Sequence, residues 1–140
     1  MKVAQKLLSE MEEWIAPHIQ ERGWNYYQLG QVAEVMYEGR WLQATVMGTD
    51  IYHVGIDVQN FEKSVCDCPY DNYCKHMAAV VYYVYEYDSD LLEQAQISTA
   101  KLEKCIHQLD QKTMRMILLQ LINSSPQAHQ YIRLLLLEEN

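Results

Sequence analysis

The sequence predicts an α+β fold made of an N-terminal helix, a small antiparallel β-meander and a C-terminal helical cluster. Three observations predict it. Apolar residues recur at helical spacing over residues 3–20 and again beyond residue 97. Between them, residues 31–58 alternate apolar and polar positions with glycine punctuation, the period of half-buried strands. A short segment rich in Cys and His then opens directly onto an apolar helical stretch.

Val3, Leu7, Met11, Trp14 and Ile15 line one face of the first helix, with Lys6, Glu10, Glu13 and Gln20 on the rest of its surface. Pro17 is expected to bend or end that helix, and Arg22-Gly23 to close the segment. Gly30, Gly39 and Gly48 separate strands expected over 31–38, 40–47 and 51–58. In the third, Tyr52, Val54, Ile56 and Val58 share one side while His53 and Asp57 take the other. The glycines and Thr49-Asp50 supply tight-turn chemistry.

Past the Cys/His segment, Met77, Val80, Val81 and Val84 form a core stripe, and Tyr82, Tyr83, Tyr85 and Tyr87 are expected to pack around the same helix. Leu102, Ile106 and Leu109 mark a further helix, and Met114, Ile117, Leu118 and Leu121 another. Ser125 and Pro126 read as cap and first-turn residue of a third, ending in Leu134 to Leu137. Four consecutive leucines cannot share one helical face, so burial on more than one side is expected there, against a missing neighbour or another subunit. The expected domains are an N-terminal helix over 1–22, a metal-binding domain over 23–90 and a helical extension over 97–140. Gln94–Ser98 is the expected boundary between the halves.

Composition narrows the function. An apolar fraction of 49% against 21% charged suits a packed core and argues against disorder. No apolar run approaches the roughly 20 residues of a membrane span. Lys2 and Lys6 are followed by Glu10, Glu12 and Glu13, which is not a signal peptide, so the expected compartment is the cytoplasm. Eleven Lys and Arg against nineteen Asp and Glu leave a net charge of -8. Proteins that grip phosphates concentrate basic residues, because counterion release supplies most of their affinity. The basic residues here are spread thinly. There is no glycine-rich phosphate loop, no H-E-x-x-H and no H-x-E with P-C-x-x-C, so neither an enzyme nor a small-molecule substrate is expected.

Three of the four cysteines fall in the run Cys66-Asp67-Cys68-Pro69-Tyr70-Asp71-Asn72-Tyr73-Cys74-Lys75-His76, while Cys105 stands apart. That asymmetry fits a metal cluster in a reducing setting better than two disulfides. Cys66 and Cys68 lie two apart, so an extended backbone turns both sulfurs to one side. The turn from Pro69 to Tyr73 brings the chain back, and Cys74 with His76 at a helix start completes a tetrahedron of the kind structural zinc prefers. With all four positions filled by protein, one structural Zn²⁺ is expected and no open position for catalysis. Buried thiols with a capping histidine are the plain alternative; three cysteines and a histidine among turn residues fit it poorly. Cys105 is most simply a packing residue, and His18, His53, His107 and His129 have no partner at ligand spacing.

The pattern C-x-C, five residues, C-x-H, after glycine-punctuated strands and before an apolar helix, resembles the bacterial type of SWIM zinc finger. Arg22-Gly23, Tyr26-Tyr27, Gly30, Cys68-Pro69-Tyr70 and Lys75-His76-Met77-Ala78-Ala79 extend the likeness over about residues 20–85. The resemblance implies a ββα-like zinc knuckle with Cys66, Cys68, Cys74 and His76 as ligands. It also implies a module that binds DNA or protein, as in proteins beside helicase-like ATPases, in transposases and in ubiquitin ligases. The loop carries Asp67 and Asp71, with Lys63 and Lys75 the nearby basic residues. The expectation is therefore a protein-interaction module of a larger protein or complex in DNA metabolism. Its partner would be another protein or the remainder of a longer chain. The alternative is a nucleic-acid-binding accessory module acting with a helicase-like ATPase, with Lys63, Tyr70, Tyr73 and Lys75 as its contacts.

Overall fold

The computed structural model describes residues 2–138; Met1, Glu139 and Asn140, at the ends of the first and last expected domains, lie outside the described residues. The elements are α1 (Lys2–Trp14), α2 (Pro17–Gln28), β1 (Val32–Glu38), β2 (Trp41–Met47), β3 (Ile51–Asp57), β4 (Val65–Cys66), α3 (Lys75–Tyr87), α4 (Ser89–His107), α5 (Gln111–Ser124) and α6 (Pro126–Arg133). A one-turn 3-10 helix, Phe61–Lys63, precedes β4, and a π-helical turn, Leu134–Glu138, follows α6. The fold is α+β, with the four strands in the order β1-β2-β3-β4, each pair antiparallel.

The single N-terminal helix expected from the sequence is two. Ala16 is extended (φ -60, ψ 145), and Pro17 sits at the first turn of α2, where its missing N–H has no partner to lose. Gly23 does not close the segment; it lies buried inside α2. A Cβ there would come within 2.5 Å of Ala78 Cβ and 2.8 Å of the Lys75 carbonyl oxygen, so glycine sets how closely α2 approaches α3.

The meander forms over nearly the expected residues. Gly39 takes φ +62 in the two-residue hairpin loop joining Glu38 to Trp41, which pair across it. Leu42, Ala44, Val46, Val54 and Ile56 turn to the core, and α3 covers them with Met77, Val80, Val81 and Val84. Leu7 and Met11 of α1, together with Ile15 and Phe61, close the same core. Asp57, on the other side of β3, is buried as well. Arg40 Nε donates to its Oδ1 at 3.0 Å, and Arg40 Nη2 lies 2.9 Å from Oδ2, close but not aligned as a hydrogen bond. The N–H groups of Gln59 and Asn60 also donate to Oδ1, each at 3.0 Å.

Contacts divide the chain into two compact units, Met1–Lys101 and Leu102–Asn140. Residues 94–98 are interior to α4, and so is the division after Lys101. In the second unit Asp110 caps α5 by accepting from Thr113 N–H, and Ser125 caps α6 by accepting from Ala128 N–H. No described residue of α5, α6 or the π-helical turn is buried. Leu134–Leu137 are 42–70% exposed among the described residues.

Candidate metal centre

β4 pairs with β3 through Val54↔Cys66 and Gly55↔Val65, and Asp67 N–H extends the ladder by donating to the His53 carbonyl at 3.2 Å. On this extended backbone Cys66 and Cys68 turn inward and Asp67 outward. The Asp67 carboxylate returns to β3, accepting from His53 N–H at 2.8 Å and meeting His53 Nδ1 at 2.8 Å. The His53 backbone N–H, then its ring, hold Asp67 below the usual carboxylate range. The far side of the loop is pinned by Tyr73. Its ring packs on Trp14 at 5.4 Å and Phe61 at 5.9 Å, and its hydroxyl donates to the Glu62 carbonyl at 2.8 Å. Cys74 then stands as the extended N-cap of α3, one turn before the buried stripe.

These constraints bring Cys66, Cys68, Cys74 and His76 together, with their ligand atoms all within 4.8 Å of one another. His76 Nδ1 lies 3.8 Å from the Sγ of both Cys66 and Cys74. In a zinc tetrahedron with Zn–S of ~2.3 Å and Zn–N of ~2.0–2.1 Å, the N···S edge is ~3.6 Å. The donor set and its spacing therefore fit one structural Zn²⁺, with four protein ligands and no open coordination position. Cys105 is exposed on α4 and is not a member of this cluster.

The sulfurs are crowded for thiols without a cation between them. The hydrogen bond from Cys66 pulls Cys74 down to about 4, against burial, with His76 adding to the pull. The same hydrogen bond, then burial, push Cys66 far up, and burial raises Cys68. One sulfur ionises at its neighbours' expense because three thiolates at this spacing repel. A divalent cation removes the conflict by pairing with all of them. Backbone N–H groups are directed at the sulfurs as well: Cys68 toward Cys66, Tyr70 toward Cys68, and Met77 toward Cys74, the last without closing a capping hydrogen bond.

Aromatic rings hold the imidazole. Tyr52 stacks on His76 with centroids 4.5 Å apart and planes 29° apart, and Tyr26 meets it edge-on at 5.4 Å. His76 Nε2 is buried without a hydrogen-bond partner, so ring packing orients this ligand in place of the carboxylate or carbonyl that usually accepts from a metal-bound imidazole. Strand alternation already places Tyr52 on the core side, but nothing local shows that His76 lies against it. Lys75 sits over the Tyr26 ring at 4.9 Å.

A recess of about 160 Å³ opens beside Cys68, Cys74 and His76, and Arg22, Tyr70 and Lys75 line it too. Three thiolates around Zn²⁺ leave one net negative charge, which Arg22 and Lys75 are placed to offset. Of the four contact residues expected from the sequence, Tyr70 and Lys75 thus share a recess. Lys63 is exposed at the end of the 3-10 turn and Tyr73 is committed to packing. In the sequence Arg22 stands out as part of a closing turn and of the family likeness, not as a site residue; its place beside the metal residues is seen in the recess they share.

Residues 52–85 match the SWIM zinc finger family model, a span that includes all four ligands and Tyr52. The chain is also similar to an uncharacterized protein of Methanocaldococcus jannaschii, at 35% identity over 65 residues. The match covers 46% of this chain and 28% of that relative, so the chain spans less than a third of the relative's length. No solved structure matches.

Proposed function

We propose that this chain, whose residues 52–85 form a SWIM zinc finger, is a protein-interaction module of a larger assembly in DNA metabolism, with its zinc serving structure and not catalysis. The observation that carries the reading is the apolar surface of α5. Met114, Met116, Ile117, Leu118, Leu119 and Leu121 are each 37–61% exposed, on a helix that buries none of its residues. Apolar side chains in such number are costly to leave in water and mark docking faces. The net charge of -8 weighs in the same direction, since it opposes phosphate binding. No helix among the described residues is long and apolar enough to cross a membrane.

The second reading, a nucleic-acid accessory module, draws on Arg22, Lys75 and Tyr70 around the recess beside the metal. Two cations and one exposed ring could meet a phosphate and a base.

Affinity purification from native cells separates the readings, comparing the chain with its Leu118→Glu, Leu119→Glu double variant. A protein recovered in stoichiometric amount with the first and lost with the second supports docking through α5. Direct titration with labelled single- and double-stranded DNA is the second arm. Binding that weakens steeply between low and moderate salt, and falls in Arg22→Gln or Lys75→Gln, would replace the first reading by the second.

A further inference from the structure

Away from the zinc, the α2–α3 contact builds a second recess, of about 370 Å³, from aromatic residues. Trp24 and Tyr27 stand one turn apart on α2, and Tyr83 and Tyr87 one turn apart on α3. Their rings do not stack flat. Trp24 and Tyr27 meet at 5.0 Å and 48°, Tyr27 and Tyr87 at 6.0 Å and 58°, and Tyr83 and Tyr87 at 5.5 Å and 46°. Tilted rings in sequence form walls around a hollow. Glu86 is the charged residue lining it, and no Lys or Arg does. Burial first, then the Tyr87 hydroxyl and the Glu86 charge, raise the Tyr27 pKa, which places the carboxylate near these rings. Tyr87 is 71% exposed although it is a large ring, so its outer face is open to a partner.

We propose that Trp24, Tyr27, Tyr83 and Tyr87 with Glu86 form an aromatic recess that receives an Arg or Lys side chain from a basic segment of a protein partner. Ring faces carry negative potential and attract a cation within about 6 Å of their centroids, more strongly where water is partly excluded. Glu86 adds a full charge of the same sense, and the chain as a whole carries -8. A phosphate or carboxylate would be repelled by both. A base stacked here would bring its own phosphate against Glu86. At about 370 Å³ the recess is larger than one guanidinium or ammonium head requires, which leaves room for the aliphatic stem. This site rests on the protein-interaction reading for its partner, but it lies on α2 and α3 and uses no residue of α5.

The test is a titration followed by NMR at constant ionic strength, reading the Trp24 indole N–H and the Tyr87 ring. The probe is Nα-acetyl-arginine amide, with Nα-acetyl-citrulline amide as its neutral counterpart. The expected result is a saturable shift with the arginine probe alone, weakened at least fivefold by Tyr87→Leu and by Glu86→Gln. Both side chains are exposed, so these variants keep the fold. Equal shifts with the citrulline probe, or binding unchanged in Tyr87→Leu, would overturn the proposal. Tighter binding of tetramethylammonium than of the arginine probe would assign the recess to a free quaternary ammonium and overturn it too. Because the probes are small molecules, failure of docking through α5 leaves this result unaffected, and failure here leaves the α5 arm standing.

Discussion

The Tyr52 ring lies stacked on the His76 imidazole at 4.5 Å, so a strand residue on the core side of the meander fixes the orientation of a ligand supplied by α3. Metal affinity should therefore depend on a residue that does not touch the metal. Tyr52→Leu is expected to weaken zinc binding by roughly 10- to 100-fold, the range found when a ligand loses its support. Tyr52→Phe should keep most of the affinity, since the hydroxyl bonds to Thr49 and not to the site. Competition against a chromophoric chelator reads both.

Gly23 makes a second prediction at a distance from the ligands. Gly23→Ala places a Cβ 2.5 Å from Ala78 Cβ and 2.8 Å from the Lys75 carbonyl, and α3 must move. The expected cost is ~1–3 kcal/mol by denaturant unfolding. Because Lys75 stands between Cys74 and His76, zinc affinity should fall with it. Adding Ala78→Gly should restore part of the loss and not all, since the Lys75 carbonyl remains in the way.

Asp57 gives a pH prediction. Burial alone would raise its pKa, but hydrogen bonds from Arg40 and the N–H groups of Asn60 and Gln59 outweigh it and hold the carboxyl below its ordinary value. A depressed folded pKa stabilises the protein above the unfolded value of ~3.9 and loses that contribution as pH falls through the folded one. Arg40→Gln should cost ~2–3 kcal/mol near pH 7, less than a fully buried pair because Arg40 is 40% exposed. The gap between wild type and Arg40→Gln should close below about pH 4, in urea melts run on each across the acid range. A gap that stayed constant to pH 2 would count against this role for the pair.

Zinc removal is expected to act locally before it acts globally. β4 has two residues, Val65 and Cys66, and the loop after it depends on the metal for its return path. Chelation should expose amides of residues 60–85 to hydrogen exchange ahead of α1, β1 and β2. Uniform loss of protection, or none, would mean that the metal does not hold this segment.

The extent to which sequence revealed the structure follows from the range of each interaction. Cys66, Cys68, Cys74 and His76 are separated by at most a short loop, so local spacing was enough to group them. Strand alternation placed Val54 and Ile56 on the core side for the same reason. Pro17 is expected to bend or end the first helix, and it ends it: the residue before a proline is pushed out of the α region, so Ala16 is extended and α2 starts anew at Pro17. Gly23 looked like a stop, since a glycine needed for close helix contact cannot be told from a terminator without its neighbour, Ala78. The stretch 94–98 suggested a boundary, but that α4 runs through it and through the division after Lys101 could not be read locally. Trp24 and Tyr87 are far apart in the chain, and no local pattern shows them in one recess.

The most direct test of the metal centre is X-ray absorption at the zinc edge on protein loaded with one equivalent of zinc. Four protein ligands should give three sulfurs at ~2.3 Å and one nitrogen at ~2.0–2.1 Å, with no oxygen. Two sulfurs, or an oxygen in the coordination shell, would contradict the closed Cys66, Cys68, Cys74 and His76 site and reopen a catalytic role for the metal.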